Sequence, residues 1–229
     1  QINAVRQQMK MQDAEFRKQW EGYETQKRNA EGRIVQPWGW KNSELTLANQ
    51  PVVGVTWYEA CAYAAWLTDV LHQQNRLDQT LRLRLPTEAE WEKAARGMQE
   101  EHRKQPQLWG WGSRWSTNNA NTLEGRVMKP TPVGAYPRGA SRCGIQDLHG
   151  NVYEWCSDWY ADRIYQGRIN QDVKDPLGPE QGEVRVLRGG SWYGDRDLAR
   201  CAYRSRRGPD LFDNNIGFRL VRSPSSSEI

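Results

Sequence analysis

Apolar residues along this chain fall into short periodic runs separated by long stretches with no period. Val5, Met9, Phe16 and Trp20 lie on one stripe of a helix, which predicts a surface helix within residues 1–30. Residues 32–49 hold Pro37 and Gly39 and read as loop. A short apolar entry at 50–55 leads to Thr56-Trp57-Tyr58-Glu59, whose capping-box spacing starts a second helix. Its expected inner face is Ala62, Ala65, Trp66 and Val70, and it should fade near residues 72–74. Leu81-Arg82-Leu83-Arg84-Leu85 alternates as a strand, and Pro86 stops it. Thr87-Glu88-Ala89-Glu90 is another capping box, opening a helix through Trp91 and Ala95 to Gly97.

Beyond Gly97 the pattern thins. Residues 98–142 are rich in Gly, Pro, Asn, Ser and Thr, yet they carry Trp109, Trp111 and Trp115. Side chains that large are costly in water, so the stretch reads as ordered loop rather than linker. Strands are expected at 183–187 and 217–222, and residues 223–229 read as a disordered, frayed tail. No internal repeat is visible.

Composition sharpens this picture. The 229 residues suffice for one domain with a real core. Only 37% are hydrophobic, and twelve Trp make up part of the deficit. The net charge of +4 is mild and the signs are interspersed, so a nucleic-acid partner is not expected. Cys61, Cys143, Cys156 and Cys201 show no metal-ligand spacing and read as reduced thiols of a cytoplasmic protein. No segment has the length of a membrane span and no signal peptide opens the chain. A start at Gln1 suggests that the chain begins inside a longer protein.

Five motifs occur together and in order: PVVGVTWYEA (51–60), LRLPTEAEWEKAARG (83–97), GIQDLHGNVYEWCSDWY (144–160), RVLRGGSW (185–192) and NNIGFRLV (214–221). Together they resemble the formylglycine-generating enzyme, or sulfatase-modifying factor, family. The resemblance implies an α+β fold of the C-type lectin-like kind, loop-rich with little regular secondary structure, over residues 50–222. Residues 1–49 then form an N-terminal helical or loop extension, where family members usually carry a strand region.

The family's enzymes hold copper on two cysteines shortly after the GGS motif, a soft thiolate pair suited to copper(I). Here Ser191 to Arg200 contains no cysteine, and Cys201 stands in a later Cys-Ala-x-Arg context. No copper is expected. His72, His102 and His149 show no ligand spacing, and Ser191 lacks a GxSxG elbow. Asp147, Glu154 and Asp158 are better explained by loop hydrogen bonding or metal ligation than by acid–base catalysis. The resemblance also implies a structural Ca²⁺, with the side chains of Asp147 and Glu154 and the carbonyls of Gly150 and Val152 as ligands. Read as residues alone, Asp147 and Glu154 could instead bond their own backbone. Asn121 and Thr122 match the start of a second family calcium site.

The C-terminal stretch alternates between frame and filler. Arg188-Gly189-Gly190-Ser191-Trp192, Arg200 to Arg204, Pro209-Asp210 and Ile216 to Arg219 form the frame, with Arg200, Arg204 and Arg219 expected to reach carboxylates such as Asp210. The filler mixes aromatic, aliphatic, acidic and basic residues without period, a binding-loop composition. From Tyr193 to Arg222 there is no Lys, Glu, Gln, Met or Trp, although all five are frequent earlier. Those five use codons ending in a purine, whereas Tyr, Gly, Asp, Arg, Leu, Ser and Phe all arise from AAC by changing only its adenines. In this, the segment 192–218 resembles the variable region of a diversity-generating retroelement's target protein. The expected function is therefore a non-catalytic, receptor-like binding domain for a protein or other macromolecule. Its candidate contact residues are Tyr193, Asp195, Arg196, Asp197, Leu198, Ser205, Arg207, Leu211, Phe212 and Asp213, with Tyr193 and Phe212 as aromatic anchors. The alternatives are a formylglycine-generating oxidase and a fixed interaction module of a larger signalling or defence protein.

Overall fold

Both capping boxes form as their spacing predicts. In the computed structural model, which describes residues 36–97, 107–169 and 171–225, helix α1 spans Trp57–Gln73 and helix α2 spans Glu88–Arg96. Glu59 N–H donates to Thr56 Oγ1 at 3.1 Å while Glu59 accepts from Thr56 N–H at 2.9 Å, and Thr87 and Glu90 repeat the arrangement. Asp158 adds an acceptor for Glu88 N–H at 2.7 Å. The expected helix carrying Val5, Met9, Phe16 and Trp20 lies outside the described residues, as does His102.

The inner face of α1 differs from expectation. Ala60, Ala64 and Thr68 are buried, whereas Ala65 is exposed and Trp66 is 56% exposed. The helix is apolar on both sides, so its periodicity admits two phases. Small residues win the inward one because they let α1 lie close on strand β1 (Leu81–Arg84). Thr68 completes the contact, accepting Leu83 N–H at 2.9 Å.

Strand β1 pairs antiparallel with β6 (Val221–Pro224). A second sheet runs in the order β4-β3-β2-β5, with β2 at Tyr153–Trp159, β3 at Arg185–Arg188, β4 at Ser205–Arg207 and β5 at Ile216–Gly217. Its β2–β3 and β3–β4 pairs are antiparallel and β2–β5 is parallel. The single strand expected at 217–222 is thus two strands in two sheets. Residues 223–225 also depart from the expected tail: Ser223 is buried, pairs with Arg82 and accepts Arg84 Nε–H at 3.0 Å.

Alternation along β2 and β3 divides the core. Cys156 and Val186 join Trp91, Ala95, Leu148 and Cys201 on the α2 side. Trp155 and Leu187 join Ala60, Leu85 and Ile216 on the α1 side. Among the described residues, no helix is long and apolar enough to cross a membrane.

Charge ties the C-terminal stretch to α2. Arg188 has no exposed surface; its Nη2 donates to Glu92 at 2.7 Å and to Cys201 O at 2.5 Å, and Nη1 donates to Tyr203 O at 2.8 Å. Glu88 lies 3.3 Å from the same guanidinium and takes a bidentate bond from Arg204 at 2.6 and 2.7 Å. Arg219 pairs with Glu154, and Arg200 bonds the Asp197 carbonyl at 3.0 Å. The frame arginines therefore find other acceptors than Asp210, mostly carboxylates on α2 and β2.

The tryptophan loop is ordered, as its composition implies. Trp109 and Trp111 stack at 6.1 Å, and Trp115 packs on both. Buried His149 joins this loop to the C-terminal stretch: Nε2 accepts Gly110 N–H at 2.8 Å, so Nδ1 carries the proton and donates to Ala199 O at 2.7 Å. Burial, reinforced by the Arg219 charge, lowers the His149 pKa from 6.5 to about 4. Below pH 6.5 the unfolded chain takes up a proton that the folded protein refuses until about pH 4. This contribution is whole above pH 6.5 and is lost as the pH falls toward 4, on the order of 3 kcal/mol in all. Urea titrations of wild type and H149Q at pH 7.5 and 4.5 measure it, with the acid loss expected to shrink by more than half in the variant.

Candidate functional site

Much of the frame of the C-terminal stretch is buried. Arg188, Ser191, Trp192, Cys201 and Ile216 are each at most 8% exposed, as is Ala199 of the filler, whereas Ala202 of the frame is exposed. Gly190 adopts φ +72°, and a Cβ there would meet Ala199 Cα and Leu198 O at 2.9 Å. The filler faces outward. Tyr193 is 63% exposed, and Asp195, Arg196 and Asp197 are exposed. Leu198, Ser205, Arg207, Leu211, Phe212 and Asp213 are half-buried.

These ten residues form two groups. Loop 193–198 lies against the turn Leu123–Gly125, and segment 205–213 lies against residues 38–57. Asn215 Nδ2 bonds Ser191 Oγ at 3.3 Å, and a Tyr153–Tyr203 hydroxyl bond runs beside Asp195, so the two groups share a floor. Burial and these neighbours raise the Tyr153 pKa, keeping the phenol protonated.

What holds the loops is their backbone. Leu123 N–H donates to Gly194 O at 2.9 Å, and Glu124 accepts Arg196 N–H at 2.9 Å. Trp109 Nε1 donates to Arg196 O at 3.1 Å, and His149 reaches Ala199 O. Further along, Trp57 N–H donates to Pro209 O at 3.1 Å and Gly54 N–H to Asp213 O at 3.0 Å. Few filler side chains share this work. Asp195 Oδ1 accepts the N–H groups of Asp197 and Leu198 in an Asx turn. Phe212 packs on Trp38 with centroids 6.1 Å apart, and Arg207 donates to Asp213 at 3.3 Å. Ser205 and Arg207, read as filler, also form strand β4. Leu123, Glu124 and Trp38 escaped sequence reasoning, because the backbone bonds of the first two and the ring contact of Trp38 with Phe212 join residues far apart along the chain and leave no pattern.

At the expected calcium loop both carboxylates have protein partners. Both Glu154 oxygens take Arg219, at 2.6 and 2.7 Å, and Oε2 also accepts Trp91 Nε1–H at 2.6 Å. Asp147 accepts Gly134 N–H at 2.8 Å, and burial raises its carboxyl pKa. Among the described residues, no group of three or more His, Cys, Asp and Glu could hold a metal. At the second calcium position Asn121 Nδ2 serves Lys129 O and Thr122 Oγ1 serves Glu124, leaving Asn121 Oδ1 as a lone buried acceptor.

Thiol chemistry is equally constrained. Cys201 is fully buried, its N–H bonded to Leu108 O, and burial pushes its thiol up to about 12. Cys156 is raised well above its ordinary value for the same reason. All four cysteines are free thiols.

Comparison with known proteins agrees with this architecture. The sulfatase-modifying factor enzyme 1-like domain matches residues 7–224, a wider span than the five motifs cover. The chain is 40% identical over 176 residues to serine/threonine-protein kinase Pkn1 of Chlamydia trachomatis, covering 76% of this chain and 24% of the kinase. It is 38% identical over 201 residues to the formylglycine-generating enzyme of Streptomyces coelicolor, covering 81% and 57%. With the hercynine oxygenase of Mycolicibacterium thermoresistibile it shares 39% identity over 179 residues, covering 76% and 36%. The chain thus spans only part of each of these relatives. Among solved structures it is similar to Treponema denticola variable protein 1, with a TM-score of 0.64 and 26% identity over 90% of this chain and 80% of that one. PvdO from Pseudomonas aeruginosa gives a TM-score of 0.60 and 30% identity, covering 77% and 63%. Fold, motifs and matched span together place the chain in the sulfatase-modifying factor enzyme 1-like family, of the formylglycine-generating enzyme type with its C-type lectin-like fold.

Proposed function

We propose that this chain is a non-catalytic binding domain whose C-terminal loops form a diversified surface, the variable protein of a diversity-generating retroelement. The observation that carries the reading is the division of labour in residues 188–219. Ser191, Trp192, Cys201 and Ile216 of the frame are buried, Tyr193, Asp195, Arg196 and Asp197 of the filler are exposed, and residues outside the loops hold the filler's backbone. Side chains at 193, 196 and 197 can then change while the loop keeps its path. The similarity to a Treponema denticola variable protein supports the same reading. The ligand is a protein or other macromolecule, met by Tyr193 and Phe212 with the charged filler setting selectivity. Four free thiols suit a reducing compartment.

A second reading, an oxidase, is favoured by the enzymes among the relatives. It would need copper ligands other than a thiol pair at 191–200, where the sequence has no cysteine. Copper(I) titration separates the two readings. Stoichiometric tight binding that disappears in C201S favours the oxidase; its absence is the expected result. The DNA flanking the gene provides a second test. A near-copy of the codons for Trp192 to Phe218, differing only at its adenines, is expected, and without one the retroelement reading fails.

Simultaneous replacement of Tyr193→Ser, Asp195→Asn, Arg196→Leu and Asp197→Asn is expected to move Tm by no more than about 4 °C, as such exposed changes lie within about 0.5 kcal/mol of zero in either direction and sum to about 1 kcal/mol or less. Gly190→Ala is expected to lower Tm by roughly 6–12 °C, because its Cβ meets backbone that cannot yield. Calorimetry of the two variants checks both outcomes.

A further inference from the structure

Arg185 stands in a row across three strands, with Trp159 of β2 as its partner on one side and Arg207 of β4 on the other. Its Cζ lies 3.4 Å from the centroid of the Trp159 ring and 3.8 Å from that of Trp57. Two rings so near one carbon must take opposite faces, so the guanidinium is held flat between them. The walls are themselves fixed. Trp57 Nε1 donates to Cys156 O at 2.8 Å, and Gly182 lies so close to Trp159 that a Cβ there would meet Trp159 Cβ at 3.0 Å. Only the edge of the cation remains, and part of it is unused. Nη1 donates to Ser157 O at 2.6 Å, whereas the buried Nε–H has no acceptor among the described residues. Arg207 likewise has a buried Nε–H without an acceptor, and its guanidinium bonds Asp213 at 3.3 Å. Like charges directly opposite one another destabilise a strand pair, so this arrangement is costly.

No carboxylate of the fold relieves it. Asp158, the acid beside Arg185, is committed elsewhere: Oδ2 accepts Glu88 N–H at 2.7 Å and Oδ1 accepts Gly178 N–H at 2.6 Å. Burial lowers the Arg185 pKa from 12.5 to about 10. Arg204 and Arg219 are desolvated too, but their bonds to Glu88 and Glu154 outweigh the burial and raise theirs. We propose that Arg185 and Arg207, with the Trp57 and Trp159 rings, form a subsite for a carboxylate, the side chain of an Asp or Glu on a protein ligand. The choice of a protein ligand rests on the binding-domain reading; the subsite itself does not. With both faces covered, an acceptor approaches Arg185 in its plane, where the Nε and Nη2 donors match the two oxygens of a carboxylate. A flat group fits that plane, whereas a tetrahedral phosphate carries oxygens out of it and against the rings. Arg207 is the neighbour that yields to admit the ligand, since its side chain is 41% exposed and held by one long bond. Arg207 belongs to the filler and Arg185 to β3, so a constant anchor sits beside a position that varies.

The test uses the full chain and acetate, the simplest carboxylate, followed by NMR at constant ionic strength. Acetate is expected to shift the Arg185 Nε–Hε resonance saturably, with a midpoint on the order of 10 mM. Chloride is expected to give no saturation, and phosphate to bind more weakly than acetate. R207Q is expected to weaken acetate binding by about threefold or more, as one of two positive charges is lost. R185K keeps the charge and loses the fork, and its Trp57 and Trp159 indole resonances are expected to stop responding to acetate. The wild-type titration needs no variant, so it decides the matter even where R185K fails to fold. No saturation at about ten times the expected midpoint overturns the proposal. An equal response to chloride, tighter binding of phosphate, or unchanged affinity in R207Q also overturns it. These outcomes are separate from the test of the retroelement reading, which the flanking DNA decides whatever acetate does.

Discussion

Arg188 has no contact with water, yet its charge cannot be given up, because a guanidinium stays protonated in any protein environment. The domain therefore has to bring acceptors to it. Glu88 and Glu92 arrive from α2, and the carbonyls of Cys201 and Tyr203 arrive from the C-terminal stretch. A helix, a strand and a loop meet at one cation, and Arg204 shares Glu88 with it. Removing either sign from such a cluster leaves the other buried and uncompensated, at a cost of about 3–5 kcal/mol. Arg219, Glu154 and Trp91 repeat the arrangement on the neighbouring strand. The buried frame arginines are thus fixed by electrostatics, whereas the ion pairs of the intervening Arg206 and Arg207 lie at the surface.

That separation gives the C-terminal surface its character. Catalytic sites hold their reacting groups by the side chains themselves, so every position is committed. Here Leu123, Glu124, Trp109 and His149 grip carbonyls and N–H groups, which every residue other than proline supplies. Asp195 is an exception, since its carboxylate closes a turn. Phe212 is a partial one, since its ring rests on Trp38.

Much of the fold was legible because its signals are local. Two capping boxes placed α1 and α2, and alternation at Leu81 to Leu85 placed β1. The frame was legible from its glycines, tryptophan and arginines. The phase of α1 was not, because alanines and aromatics occupy both faces and only the closeness of β1 selects Ala60 and Ala64. Strands β4 and β5 are three and two residues long, too short for alternation to be read, and β6, Val-Arg-Ser-Pro, buries a serine where an apolar residue would have marked it. The loop around Asp147 shows a different limit. Sequence identified oxygen-bearing residues at suitable positions, but it could not reveal that Arg219, far along the chain, occupies both oxygens of Glu154.

Strand β6 comes after the stretch of alternating frame and filler and pairs with β1, which precedes it by more than a hundred residues. The last strand among the described residues is therefore needed to close the first. A stop or frameshift arising anywhere between Trp192 and Phe218 deletes β6, leaves β1 as a bare edge and strips Arg84 of its bond to Ser223. Missense changes in the same interval leave that closure intact. The order of elements along the chain thus makes closure of the first sheet depend on translation through the whole of the C-terminal stretch: a truncated product cannot pair β1, while a substituted one can.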